Sequence, residues 1–200
     1  MRLIVVLILT GCILLAGCTG TRDNPVCGTE KPGDGSGSSL QTGTEWTTYA
    51  DNATGFLIRY PVDWDYALAD MVDEQKNLIS TNVYFKPYTA DGIVLSVSAR
   101  NGSLAANRSV EMQVKDEIAS LDARGHPFTI VGQSNLTISN YPAAELAIRE
   151  EYQGIRYYTR YMFVGAENQQ YVLYSKLPDN QTSRYKPLVD QAIASFQITG

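Results

Sequence analysis

The side chains able to do chemistry in this 200-residue chain fall into a few small groups. Asp63, Asp65, Asp70, Asp73 and Glu74 lie within twelve residues, and hard carboxylate oxygens of this kind suit calcium. The stretch lacks the glycine and distal glutamate of an EF-hand loop, so it reads as a solvated acidic loop, with a divalent-metal or small-ligand site as the alternative. His126, the single histidine, follows a helix in Arg124-Gly125-His126-Pro127. Alone, it lacks the nucleophile and orienting carboxylate that a catalytic base works with, and zinc takes more ligands than these residues offer. Gly-x-Ser-x-Gly, Gly-x-Gly-x-x-Gly and the P-loop pattern are absent, which argues against the commonest hydrolase, dinucleotide and nucleotide sites. The expectation is a non-catalytic domain without a cofactor and without a resident metal. Eight of the 13 tyrosines fall between Tyr141 and Tyr185. Arg149, Glu151, Arg156, Tyr158 and Arg160 occupy one face of a hairpin in that region. Tyrosine and arginine are the residues of protein-binding hot spots, although they are also ordinary strand residues. Arg149, Arg156, Tyr158 and Arg160 are thus the candidate partner-binding set.

The three cysteines, Cys12, Cys18 and Cys27, all lie in the first 27 residues. No disulfide framework therefore holds the body of the protein, and its fold stands on its hydrophobic core. Met1-Arg2 is a short positive start, and Leu3 to Leu15 is apolar or neutral throughout. That run has signal-peptide length and is short for a bilayer span. It ends in Leu15-Ala16-Gly17-Cys18, which resembles the lipobox of lipoprotein signal peptides. The resemblance implies a lipid on the Cys18 sulfur and cleavage just before it. Leu9-Thr10-Gly11-Cys12 fits the same pattern, but Cys18 stands where the apolar run gives way to polar sequence. Residues 1–17 are therefore expected to be a signal peptide, and residues 18–45 the lipidated cysteine and its tether. Between 19 and 44, 19 of 26 residues are Gly, Ser, Thr, Pro, Asp or Asn. Such a stretch buries too little apolar surface to offset its ordering entropy, and as a flexible coil it reaches on the order of 30 Å. Within it, Cys27 reads as a solvent-exposed thiol.

Charge and composition narrow the partners. The net charge is −5, with no basic stripe of the kind that nucleic acid requires. The partners expected are the membrane, through the lipid, and a protein at the cell surface. Asn-x-Ser/Thr sequons occur at Asn52, Asn101, Asn107, Asn135 and Asn180, marking candidate glycosylation sites on surface loops. A lipoprotein signal combined with sequons points to the outer face of an archaeal cell membrane.

The elements that position these residues follow from periodicity. Gly55 to Pro61, Val83 to Lys86, Ile93 to Arg100, Phe128 to Ile138, Ala144 to Tyr152, Ile155 to Val164 and Tyr171 to Leu177 read as strands. Gln153-Gly154 fits a two-residue hairpin turn, which sets Glu151 opposite Arg156 and Arg149 opposite Tyr158. Val110, Val114, Ile118 and Leu121 make one apolar helical stripe, capped by Ser109 and ended by Gly125 and Pro127. Tyr185, Leu188, Val189, Ala192, Ile193 and Phe196 form a second stripe, with Pro187 fitting its first turn. Strands, a helix, more strands and a final helix argue α+β, an antiparallel sheet with helices packed on it. A single domain with one core is expected over residues 46–200.

Gly55-Phe56-Leu57-Ile58-Arg59-Tyr60-Pro61-Val62-Asp63-Trp64 resembles the opening of PsbP-like domains, with their Gly-Phe-x-Ile-x-Tyr-Pro-x-x-Trp pattern. Tyr141-Pro142-Ala143-Ala144-Glu145, Tyr171-Val172-Leu173-Tyr174 and Ala194-Ser195-Phe196 are similar to further habits of that family. The likeness spans about residues 46–198. It implies an antiparallel sheet sandwiched between helices. The family's best-known members are extrinsic photosystem II subunits, and others are assembly factors and lipoproteins. Only the fold is carried over.

Overall fold

The computed structural model describes residues 44–72, 75, 78–101 and 109–199. Cys12, Cys18, Cys27, Asp73, Glu74 and Asn107 lie outside them, as do the signal peptide and nearly all of the tether. Strands β1 (Trp46–Asp51), β2 (Phe56–Pro61), β3 (Trp64–Val72), β4 (Leu78–Pro87) and β5 (Val94–Asn101) precede helix α1 (Val110–Arg124). Then come β6 (Phe128–Ile138), β7 (Tyr141–Tyr152), β8 (Ile155–Gly165) and β9 (Gln169–Pro178). A 3-10 turn (Asp179–Gln181) leads into α2 (Thr182–Ala194) and the short β10 (Gln197–Ile198).

All the strand pairings are antiparallel, in two sheets. The larger has the order β3-β4-β5-β9-β8-β7-β6 and the smaller β1-β2-β10. Alternation along the strands sends side chains to two separate cores. On one side of the large sheet Ala143, Met162, Leu173 and Val97 pack with Tyr185, Val189 and Ile193 of α2 and with Phe56, Ile58 and Tyr60 of the small sheet. On the other side Ala144, Leu146, Ile148 and Phe163 pack under Val110, Val114 and Leu121 of α1. Neighbouring residues such as Ala143 and Ala144 therefore serve opposite cores, and this is why β7 is apolar on both faces. The single core expected from the sequence is in fact two. The expected layer of helix on each face is met only in part: α1 lies on one face, and on the other a three-stranded sheet shares the space with α2.

The helix ends follow the sequence reading in one case and depart from it in the other. Ser109 caps α1, its hydroxyl accepting from the Met112 N–H at 3.3 Å. Gly125 closes the helix at φ 69°, its N–H donating to the Asp122 carbonyl, a left-handed cap that glycine adopts without steric cost. Helix α2, however, starts at Thr182, so Pro187 lies inside it and not in its first turn. The family-like motifs have structural work here. Ser195 accepts from the Arg59 N–H at 2.8 Å and donates to the Ala192 carbonyl at 2.6 Å, tying the end of α2 to β2. Phe196 packs on Phe56 and Tyr171.

The part of the acidic stretch that carries Asp65 and Asp70 is not a loop. Trp64–Val72 is a strand, paired with β4 from Trp64↔Pro87 to Val72↔Leu78. After Trp64 every residue of β3 is exposed, so the apolar–polar alternation that betrays a half-buried strand never appears in its sequence.

Candidate functional site

The β7–β8 hairpin has the register expected of it. Gln153 and Gly154 both have positive φ, 53° and 76°, the conformation of a type I′ turn that matches the strand twist. The pairing then sets Glu151 against Arg156, Arg149 against Tyr158 and Ala147 against Arg160. All four candidate partner-binding residues share the face of the sheet that α2 covers, and the helix divides them.

Arg160 is enclosed. Its side chain is 12% exposed, and its Nε donates to Glu145 Oε1 at 2.6 Å. Its Nη1 meets Asp190 of α2, which also accepts from Lys186 Nζ at 2.6 Å. Burial opposes the charge of this guanidinium, but Glu145 and Asp190 more than compensate and hold its pKa above the ordinary arginine value. The network joins α2 to the hairpin, and a 540 Å³ cavity between α2 and β6 opens beside it. Tyr158 is half-buried and packs against the core. Arg149 and Arg156 remain in solvent, with side chains 61% and 75% exposed. Their carboxylate partners are distant: Asp179 stands 3.8 Å from Arg149, and Glu151 3.7 Å from Arg156. Around them lies a cleft of about 290 Å³, walled by Pro127, Phe128 and Thr129 from the start of β6. Exposed and only loosely paired, these planar cations are equipped to take carboxylate or peptide groups of a partner.

Elsewhere the chemistry is structural. His126 is exposed and sits edge-on to the Tyr152 ring at 5.3 Å. Asp65 and Asp70 point to opposite faces of β3, so they cannot converge on one ion. Among the described residues no group of three or more His, Cys, Asp and Glu is placed to hold a metal. Beneath α1 a 310 Å³ cleft is floored by Tyr161 and Tyr174, a feature without a sequence signal because it joins α1 to β5, β8 and β9. Burial, above all, pushes the Tyr161 hydroxyl up to about 12 and raises that of Tyr174. Of the sequons, Asn52, Asn135 and Asn180 are exposed, and Asn101 ends β5. Asn180 adjoins Asp179 at the rim of the arginine cleft, so a glycan there would border the cleft. No helix among the described residues is long and apolar enough to cross a membrane.

The fold so described is that of PsbP-like proteins. The solution structure of cyanobacterial PsbP (CyanoP) from Synechocystis sp. PCC 6803 superposes with a TM-score of 0.58 at 13% identity, over 82% of this chain and 98% of that one. A crystal structure from Bacteroides thetaiotaomicron superposes with a TM-score of 0.52 at 14% identity, over 76% of this chain and 48% of the other. LpqN of Mycobacterium tuberculosis, described as involved in cell envelope biogenesis, gives 0.49 at 15% identity, over 80% of this chain and 93% of that one. No family model matches the sequence, and no curated protein does.

Proposed function

We propose that the protein is a lipid-anchored, extracytoplasmic accessory domain that binds another protein and carries out no catalysis. Cys18 bears the lipid, residues 19–45 form a flexible spacer, and the PsbP-like domain presents the open end of the β7–β8 hairpin to its partner. The observation that carries this reading is the cleft holding Arg149 and Arg156. These are two exposed planar cations whose nearest carboxylates stand too far off for close hydrogen-bonded pairs. Tyr158 and Arg160 share that face of the sheet but do not line the cleft. The test is a pull-down from solubilised membranes with the wild type and with Arg149→Ala and Arg156→Ala combined. The expected result is loss of a specific partner by a variant that melts like the wild type. Equal retention by both forms removes the hairpin end as the contact surface.

A further inference from the structure

We infer that the outer edge of β3 is a docking site for an extended, lysine- or arginine-bearing segment of another protein, which joins the large sheet as an additional antiparallel strand. This surface is separate from the hairpin cleft. β3 and β6 are the two ends of the large sheet, and the cleft lies at the β6 end.

The backbone supplies the template. Among the described residues β3, nine residues long, pairs only with β4, so alternate N–H and C=O groups along its other side face outward with no described strand to receive them. Proteins blunt such edges with lysine, proline, bulges or a covering element. β3 contains no lysine, arginine or proline, and its one irregularity falls at the far end, between Met71 and Val72. The opposite edge is managed differently: β6 is bulged between Ile130 and Gly132 and bears the sequon asparagine Asn135. β3 has no sequon.

Side chains supply the adhesion. Tyr66 and Leu68 are 46% and 53% exposed on one face of the strand, and Met71, 57% exposed, lies on the other face with Tyr84 of β4. An open strand with exposed apolar side chains on both faces offers an added strand apolar contact on either side of the sheet. Strand addition uses main-chain hydrogen bonds for affinity and alternate side chains for specificity.

Charge selects the occupant. Asp65 and Asp70 are the charged residues of β3, and both are exposed. Neither closes an ion pair among the described residues. Lys86 stands opposite Asp65 in β4 without coming within ion-pair distance. A basic strand laid on this edge brings a cation to each carboxylate, one on each face of the sheet. A second copy of β3 would instead add two further carboxylates and no cation. The net charge of −5 steers a basic segment toward the protein in the same direction.

The experiment is amide hydrogen exchange on the full chain in detergent micelles, with synthetic peptides of about ten residues, long enough to match a full strand. One peptide repeats Lys-Lys-Val-Val and the other Glu-Glu-Val-Val, so that each carries charge on both faces of the strand. The lysine peptide is expected to slow exchange of β3 amides by about tenfold, and the glutamate peptide to leave them unchanged. Asp65→Lys with Asp70→Lys is expected to reverse that preference. The wild-type comparison stands alone if this variant does not fold. Equal or absent protection by the two peptides overturns the inference. So does protection that needs no peptide: if it grows with protein concentration, a second copy occupies the edge, and if it does not, the chain's own residues do.

Discussion

Arg160 and Arg156 lie four residues apart on the same strand face, yet their energetic roles are opposite. Arg160 is enclosed by Glu145 and Asp190, so removing it leaves two carboxylates in a partly desolvated site without their cation. Arg160→Ala is expected to lower stability by about 2 kcal/mol, the scale of a charged hydrogen bond lost from a protein interior. Arg156→Ala, at an exposed site with a loose partner, is expected to change it by less than about 0.5 kcal/mol. Urea denaturation of the two variants checks this. Equal losses would mean that Arg160 is no more structural than its neighbour. Tyrosines supply a second residue-scale prediction. Burial raises the hydroxyls of Tyr161 and Tyr171 to about 12, against about 10 in an unfolded chain. Because the folded state favours the neutral phenol, this contribution to stability is complete below about pH 10 and is lost as pH climbs through about 12. Absorbance at alkaline pH should therefore show a late group of tyrosines that ionise together with unfolding. Ionisation of all tyrosines near their free value, with the fold intact, would contradict the burial described.

At the scale of elements, the hairpin turn is the feature that fixes the register of the arginine cleft. Gly154 adopts φ 76° with nothing within 4 Å of the position a β-carbon would take, so a substitution there meets backbone strain and no clash. Gly154→Ala is expected to cost about 1 kcal/mol, read as a lower urea midpoint with an unchanged slope. No loss would mean that the turn relaxes to another form. This turn, the cross-strand pairs around it and the capped helix α1 were legible because each is local: Gln-Gly, an alternating strand, and a serine three residues ahead of the Met112 amide. The rest depends on residues far apart in the chain. Nothing near Arg160 announces that Asp190, thirty positions on, will enclose it, so its sequence reading as an exposed contact residue was incomplete. The Lys186–Asp190 spacing did carry a signal for half of that network. β3 was misread as a loop because an edge strand exposed on both faces has no alternation to detect. β10, two residues long, exists only through its pairing with Leu57 and Phe56. The small sheet was therefore invisible as a layer.

For the whole molecule, two cores on either side of one seven-stranded sheet bury Leu146 and Ile148 on one face and Leu95 and Val97 on the other. The two proposed partner surfaces, the hairpin end and the β3 edge, lie at opposite ends of the sheet order. A domain of this kind works where it is held, and in the proposed function Cys18 holds it at the outer face of a membrane. The most direct measurement is the intact mass of membrane-extracted protein, compared for wild type, Cys18→Ser and Cys12→Ser. The account predicts that wild type and Cys12→Ser lack residues 1–17 and carry the added mass of a lipid, and that Cys18→Ser carries none. A lipid retained by Cys18→Ser and lost from Cys12→Ser, or an unmodified wild-type chain with residues 1–17 in place, would contradict it.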